Sequence, residues 1–316
     1  MTSTTATETT WELGPEDRDQ LAGRVYAVVL AGELVEFASH EPGVRSGEDP
    51  EELHAYRVAL RRARSLMSAG GDVYPAEELE LLGALAESFA ASTSALRDLD
   101  VLIEDFDDHV EQIAPTLRDG AMDLLAELRA TRQLRHRGLV AEIDGDVHAT
   151  LLRRWQTMGT VYRLGGSEPG PDAMRRSGQV VDEAIRTAVH KLRVAGKKAR
   201  GSGEPEKWHK VRKRLKRVRY LIALFSPLYE PGTFDATLSS MRKLQNRLGA
   251  LQDEVVQTSL LAEAGASAGG RAGLTAGAMC EVAHGHGSRA IDRCEAAWEK
   301  FDRPRTWKRI TRSLVD

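Results

Sequence analysis

The sequence predicts an all-α protein of two related halves, each a bundle of long antiparallel helices. Three observations carry this. Apolar residues recur at helical spacing nearly everywhere, while the alternation of strands is scarce. Gly and Pro clusters cut the chain into runs long enough for bundle helices. Two segments also repeat one another at a fixed distance along the 316 residues.

The elements follow in order. Residues 1–12 are Thr-rich, with no basic region or apolar stretch, and read as a disordered tail rather than a signal peptide. Asp49-Pro50-Glu51-Glu52 is a helix start, with Asp as cap, Pro at the first position and Glu in the first turn. Gly70-Gly71 stops that helix and Tyr74-Pro75-Ala76-Glu77 starts the next. Gly165-Gly166 opens the clearest mid-chain loop, ending near Pro171. Gly201-Ser202-Gly203 separates two basic helices, and Pro231-Gly232 and Ala268-Gly269-Gly270 mark later turns. The expected division is a first bundle repeat over 13–165 and a second over 171–316, together one domain.

Charge is segregated. The total is only −3, yet residues 190–219 hold thirteen Lys/Arg against Glu204 and Glu206. Residues 76–112 hold eleven Asp/Glu against Arg97 alone. Such a map predicts a focused basic site on an acidic body. No apolar run approaches the ~18 residues of a membrane span. Cys280 and Cys294 are 14 residues apart in a helical pattern, roughly 21 Å along the axis and too far to bridge, so the cytoplasm is the expected compartment.

The repeat carries the chemistry. Leu53-His54-Ala55-Tyr56-Arg57 through Arg64 matches Trp208-His209-Lys210-Val211-Arg212 through Arg219 at an offset of 155, and Leu96-Arg97-Asp98 matches Leu251-Gln252-Asp253 at the same offset. Basic groups fall at 0, +3, +7 and +10 from each His: His54, Arg57, Arg61, Arg64 and His209, Arg212, Lys216, Arg219. On a helix these share a stripe roughly 80° wide. Arg62 and Arg217 flank the stripes, Lys213 lies beside the second, and Leu53, Tyr56, Leu60, Trp208, Val211 and Leu215 form adjoining core seams. His190, Arg193, Lys197 and Arg200 make a third run of the same spacing. Aligned like charges repel by a few tenths of a kcal/mol per pair, so acids neutralise them or an anion is meant to. Arg forks and Lys point charges suit phosphate oxygens, and three helical turns of them suit a polymer of charges.

These motifs, with Leu96-Arg97-Asp98-Leu99-Asp100-Val101 and Leu248-Gly249-Ala250-Leu251-Gln252-Asp253, closely resemble the conserved histidine α-helical domain (CHAD) family over nearly the whole chain after the tail. The resemblance implies two pseudo-symmetric bundles whose basic inner surface binds inorganic polyphosphate, and association with cytoplasmic polyphosphate granules and polyphosphate-metabolising proteins. Carried over by position, the binding groups are His54, Arg57, Arg61, Arg62, Arg64, His209, Arg212, Lys216, Arg217 and Arg219; Lys213, His190, Arg193 and Lys197 join them on charge and spacing. Some relatives carry a triphosphatase half with an alternating Glu-x-Glu-x-Lys strand. Glu78-Leu79-Glu80 runs on into Leu81-Leu82 in a helical context, so a non-catalytic protein is expected.

Other signals are weaker. Cys280, His284 and His286 match no common zinc spacing, and arginines around the repeat histidines oppose a metal cation. Ala195-Gly196-Lys197-Lys198 lacks the first Gly and the hydroxyl of a phosphate loop, and no nucleophile elbow occurs. No metal or cofactor is expected. Nucleic-acid binding is the main rival, but stacking aromatics are few and fall near the core seams. A scaffold for an acidic partner protein is the third reading.

Overall fold

The computed structural model describes residues 13–70, 72–164 and 169–314, apart from the side chains of 161–164, 250–254 and 284–289. The tail, Gly71, Gly165 and Gly166 lie outside these residues, as do the side chains of Leu251, Gln252, Asp253, His284 and His286. The described chain is helical: α1 (Ala22–Ser46), α2 (Pro50–Met67), α3 (Ala76–Glu104), α4 (Phe106–Glu111), α5 (Ala121–Ile143), α6 (Asp146–Leu164), α7 (Ser177–Ala199), α8 (Pro205–Phe225), α9 (Asp235–Ala268), α10 (Gly270–Phe301) and α11 (Pro304–Thr311). Among the described residues the β-structure is an isolated bridge between Leu21 and Arg176.

Local chemistry sets the helix ends. The Asp49 carboxylate accepts from the Glu51 amide at 2.9 Å, and Pro50 occupies the first turn, where its missing N–H costs nothing. Pro205 opens α8 in the same way. Helices α7 and α8 begin 155 residues after α1 and α2, the offset that separates the sequence motifs. Gly269, at φ 65°, turns the chain between α9 and α10 in a conformation only glycine adopts cheaply.

In the first half α1 packs along α2 and α6, α2 on α3, and α3 on α5. In the second half α7 packs on α8, α8 on α9 and α9 on α10. The halves meet where α2 touches α8, α1 touches α7, α3 touches α9, and α5 touches α9 and α10. One buried cluster runs through both of them. It includes Phe37 stacked on Tyr56 with ring centroids 3.8 Å apart, and Tyr26 of α1 against Phe225 of α8 at 4.9 Å. The Tyr56 hydroxyl is hydrogen-bonded to His148 at 2.9 Å, and Trp155 donates to the Leu30 carbonyl at 2.8 Å, so these buried polar atoms are satisfied. A second cluster joins Leu99, Leu102 and Phe106 to Leu124, Leu128, Leu261 and Met279 at the far ends of α3, α5, α9 and α10.

The segment before α1 belongs structurally to the second half. Ala22 donates its amide to Arg175, and the Ser177 amide donates to Gln20 at 2.8 Å. Arg18 pairs with the buried Asp182 at 2.8 Å.

Candidate functional site

The stripes take their places because the apolar seams beside them are buried. Leu53, Tyr56 and Leu60 on α2, and Trp208, Val211 and Leu215 on α8, are almost fully enclosed. The cations a third of a turn away therefore lie along the boundary of the core, half-buried rather than out on the solvent face. His54 and Lys213 are exposed, while Arg57, Arg61, Arg62, Arg64, His209, Arg212, Lys216, Arg217 and Arg219 are intermediate.

The contact between α2 and α8 brings the two stripes together. Arg61 on α2 donates to the hydroxyl of Tyr220 on α8 at 3.4 Å, and the guanidinium of Arg219 stands 4.6 Å from the centre of the same ring. Arg217 reaches across to the Ser68 carbonyl just past α2. Arg219 also donates to Gln245 of α9 at 2.9 Å, and Arg57 donates to Ser94 of α3 at 2.9 Å. Most of these partners are neutral, so they orient the guanidinium groups without cancelling their charge.

Acids neutralise part of the first stripe. Arg64 lies 3.3 Å from the exposed Glu87, and Arg62 lies 3.7 Å from the buried Glu33. Arg97 donates to Glu51 at 3.0 Å and to the Pro50 carbonyl. The remaining crowding is felt in ionisation. Burial and the charge of Arg61 pull the Arg57 guanidinium down to about 10, with Asp98 pushing the other way. Desolvation and Arg97 hold the His54 imidazole below its ordinary value, and Arg61 and Arg57 add to this. Burial and Arg214 lower Arg217 likewise. The geometry gathers positive charge along the α2–α8 contact, and burial with like-charged neighbours disfavours the charged forms of Arg57, His54 and Arg217.

The third run stands elsewhere. His190, Arg193 and Lys197 are exposed on α7, and Arg193 lies 5.1 Å from the Trp307 ring of α11, while Arg200 pairs with Glu299. A cavity of about 420 Å³ opens at the start of α7. Its arginines are largely matched there, Arg18 by Asp182, Arg175 by Glu183 and Arg176 by Asp19, so it has little net charge to offer an anion.

The arrangement adds residues that spacing alone did not single out. Arg97 lies in the Leu96-Arg97-Asp98 motif on α3, outside the basic stripes. Tyr220 follows Arg219 directly, yet only the helix crossing makes it the contact between stripes. Glu33, Ser94 and Gln245 carry no local signal. Among the described residues no group of three or more His, Cys, Asp or Glu could hold a metal ion, and no helix is long and apolar enough to cross a membrane.

Comparison with known proteins agrees with this architecture. The chain superposes on the crystal structure of the CHAD domain from the plant Ricinus communis with a TM-score of 0.73, at 20% identity, covering 92% of this chain and 95% of that one. It also matches PptA from Streptomyces chartreusis with a TM-score of 0.60 at 17% identity, covering 89% and 100%. Two uncharacterized proteins of Mycobacterium tuberculosis are 24% identical over 260 residues, 79% of this chain. The chain spans about half the length of these curated relatives, 48%. The CHAD domain model matches residues 28–262, both basic helices included. By that match over most of its length, the chain belongs to the CHAD domain family.

Proposed function

We propose that the joined faces of α2 and α8 bind inorganic polyphosphate. Polyphosphate binding is a general property of CHAD domains. The observation that carries the reading for this chain is the meeting of Arg61 and Arg219 at Tyr220, which makes two cationic stripes one surface. A flexible chain of phosphates engages both stripes in sequence, and the second contact becomes intramolecular. The groups gathered there are guanidinium, ammonium and imidazole, which hold phosphate oxygens through charge-assisted hydrogen bonds. The role is therefore holding the polymer rather than cleaving it. On the same reading the protein works in the cytoplasm beside polyphosphate granules and polyphosphate-metabolising proteins.

Nucleic acid is the less favoured ligand because Tyr56, Trp208 and Tyr220 are buried at 0%, 1% and 2% exposure and offer no face to a base. Calorimetric titration with long-chain polyphosphate, orthophosphate and RNA in parallel tests the reading. Long polyphosphate is expected to bind most tightly. Replacing Arg57, Arg61 and Arg64 together by Gln is expected to weaken it and flatten its salt dependence, since fewer counterions are exchanged. Preference for RNA, or phosphate release by the pure protein at enzymic rates, overturns it.

A further inference from the structure

A second basic face lies on α7 and α11. Arg186, His190, Arg193 and Lys197 repeat at helical spacing over about 16 Å of α7. Residues 186–200 contain no acid at all. Helix α11 packs its apolar side inward through Trp307 and Ile310, and so turns Arg305, Lys308, Arg309 and Arg312 outward, all of them exposed. Arg193 of α7 lies 5.1 Å from the Trp307 ring of α11, and Arg186 of α7 donates to the Leu314 carbonyl just past α11 at 3.1 Å. The α2–α8 stripes, in contrast, are tied to α3 and α9 through Arg57–Ser94 and Arg219–Gln245.

We propose that the outer faces of α7 and α11 form a second docking surface for an inorganic phosphate polymer, so that one protein molecule bridges two polymer chains. The inference rests on polyphosphate being the ligand of the α2–α8 surface. Charge complementarity identifies the occupant. Neither 186–200 nor 303–312 contains an acid, and the acids at the border of the face include Glu299, paired with Arg200, and Asp302, which accepts from the Trp307 indole at 2.6 Å. Its one large aromatic, Trp307, is 6% exposed beneath Arg193, so it gives bases nothing to stack on. A protein with two such faces cross-links polymer where a protein with one only coats it.

Light scattering from mixtures with long-chain polyphosphate, read beside binding titrations, tests this. The variant Arg305→Gln, Lys308→Gln, Arg309→Gln, Arg312→Gln alters exposed positions only and is checked for helicity. It is expected to keep polyphosphate binding through the α2–α8 surface while scattering falls about tenfold, with fewer polymer contacts per protein. A variant neutralised at Arg57, Arg61 and Arg64 is expected to lose scattering too, yet retain residual binding at the α7–α11 face. If that variant loses helicity, Arg212→Gln with Lys216→Gln replaces it. Unchanged scattering by the α11 variant overturns the second surface and leaves the first intact. Loss of RNA retention with polyphosphate behaviour unchanged assigns the face to nucleic acid and overturns the proposal. Failure of the wild-type protein to bind polyphosphate in the titration removes the underlying reading, and this one with it.

Discussion

At the scale of single residues, burial makes two titrations worth measuring. His54 is held below the ordinary imidazole value of 6.5, so it is largely neutral at pH 7 in the free protein. A bound polyanion would favour the imidazolium, so binding would take up a proton and affinity would rise as pH falls from the His54 value in the complex to the lower value in the free protein. Calorimetry at pH 6 in two buffers of different ionisation enthalpy should detect that proton in the wild type and miss it in His54→Gln. Glu33 works in the other direction. Burial pushes its carboxyl up to about 7, from an ordinary value of 4.5, against the pull of Arg62. The folded chain thus binds a proton that the unfolded chain has released between those values, and the group's contribution to stability declines as pH rises through that window. Glu33→Gln removes the decline. The variant is expected to gain about 1–3 kcal/mol relative to wild type between pH 5 and pH 8 in urea unfolding. Parallel curves at both pH values would sink the assignment.

At the scale of elements, close packing marks the sensitive points. Gly196, within α7, lies against the Trp298 ring of α10, and an added Cβ would overlap that ring. Gly196→Ala gains helix propensity yet is expected to lose about 1–3 kcal/mol overall through overpacking, visible as a lower midpoint in thermal unfolding. A midpoint equal to wild type or higher would mean that α10 moves aside at no cost. In the sequence this glycine stands only in an incomplete phosphate-loop pattern, because no local pattern announces what a residue 102 positions away brings against it. The helices themselves were legible. Asp49-Pro50, Tyr74-Pro75 and Gly201-Ser202-Gly203 act through local chemistry, and they end or begin helices where the spacing predicts. The stripes of α2 and α8 were legible for the same reason, since 3.6-residue periodicity is local. That Arg62 would find Glu33, or Arg61 find Tyr220, depends on how helices cross. So does the separation of the His190, Arg193 and Lys197 row from the stripes of α2 and α8.

At the scale of the molecule, the buried cluster that runs through both halves governs how the chain unfolds. Tyr26 against Phe225, and the backbone bonds from residues 20 and 22 to the start of α7, leave neither half a closed surface of its own. Separately expressed segments 13–165 and 169–314 are therefore expected to show little cooperative unfolding, whereas the full chain melts in one main transition. Native-like helicity and a sharp melt for either segment alone would contradict this. The contact at Tyr220 has a consequence of a different kind. Position 65 on α2 corresponds to position 220 on α8 by the 155-residue offset, and it holds a serine whose hydroxyl turns back to the Arg61 carbonyl at 2.8 Å. Two identical chains meeting at a twofold axis must present the same side chain from both sides, and two such tyrosines at one crossing would compete for the same space. Joining both helices in a single polypeptide frees these positions to differ, so a bulky ring from one side can fill the junction while a small residue yields on the other. Covalent linkage thus permits broken symmetry where the charges meet, and a polymer bound there as proposed would have two distinguishable directions in which to run.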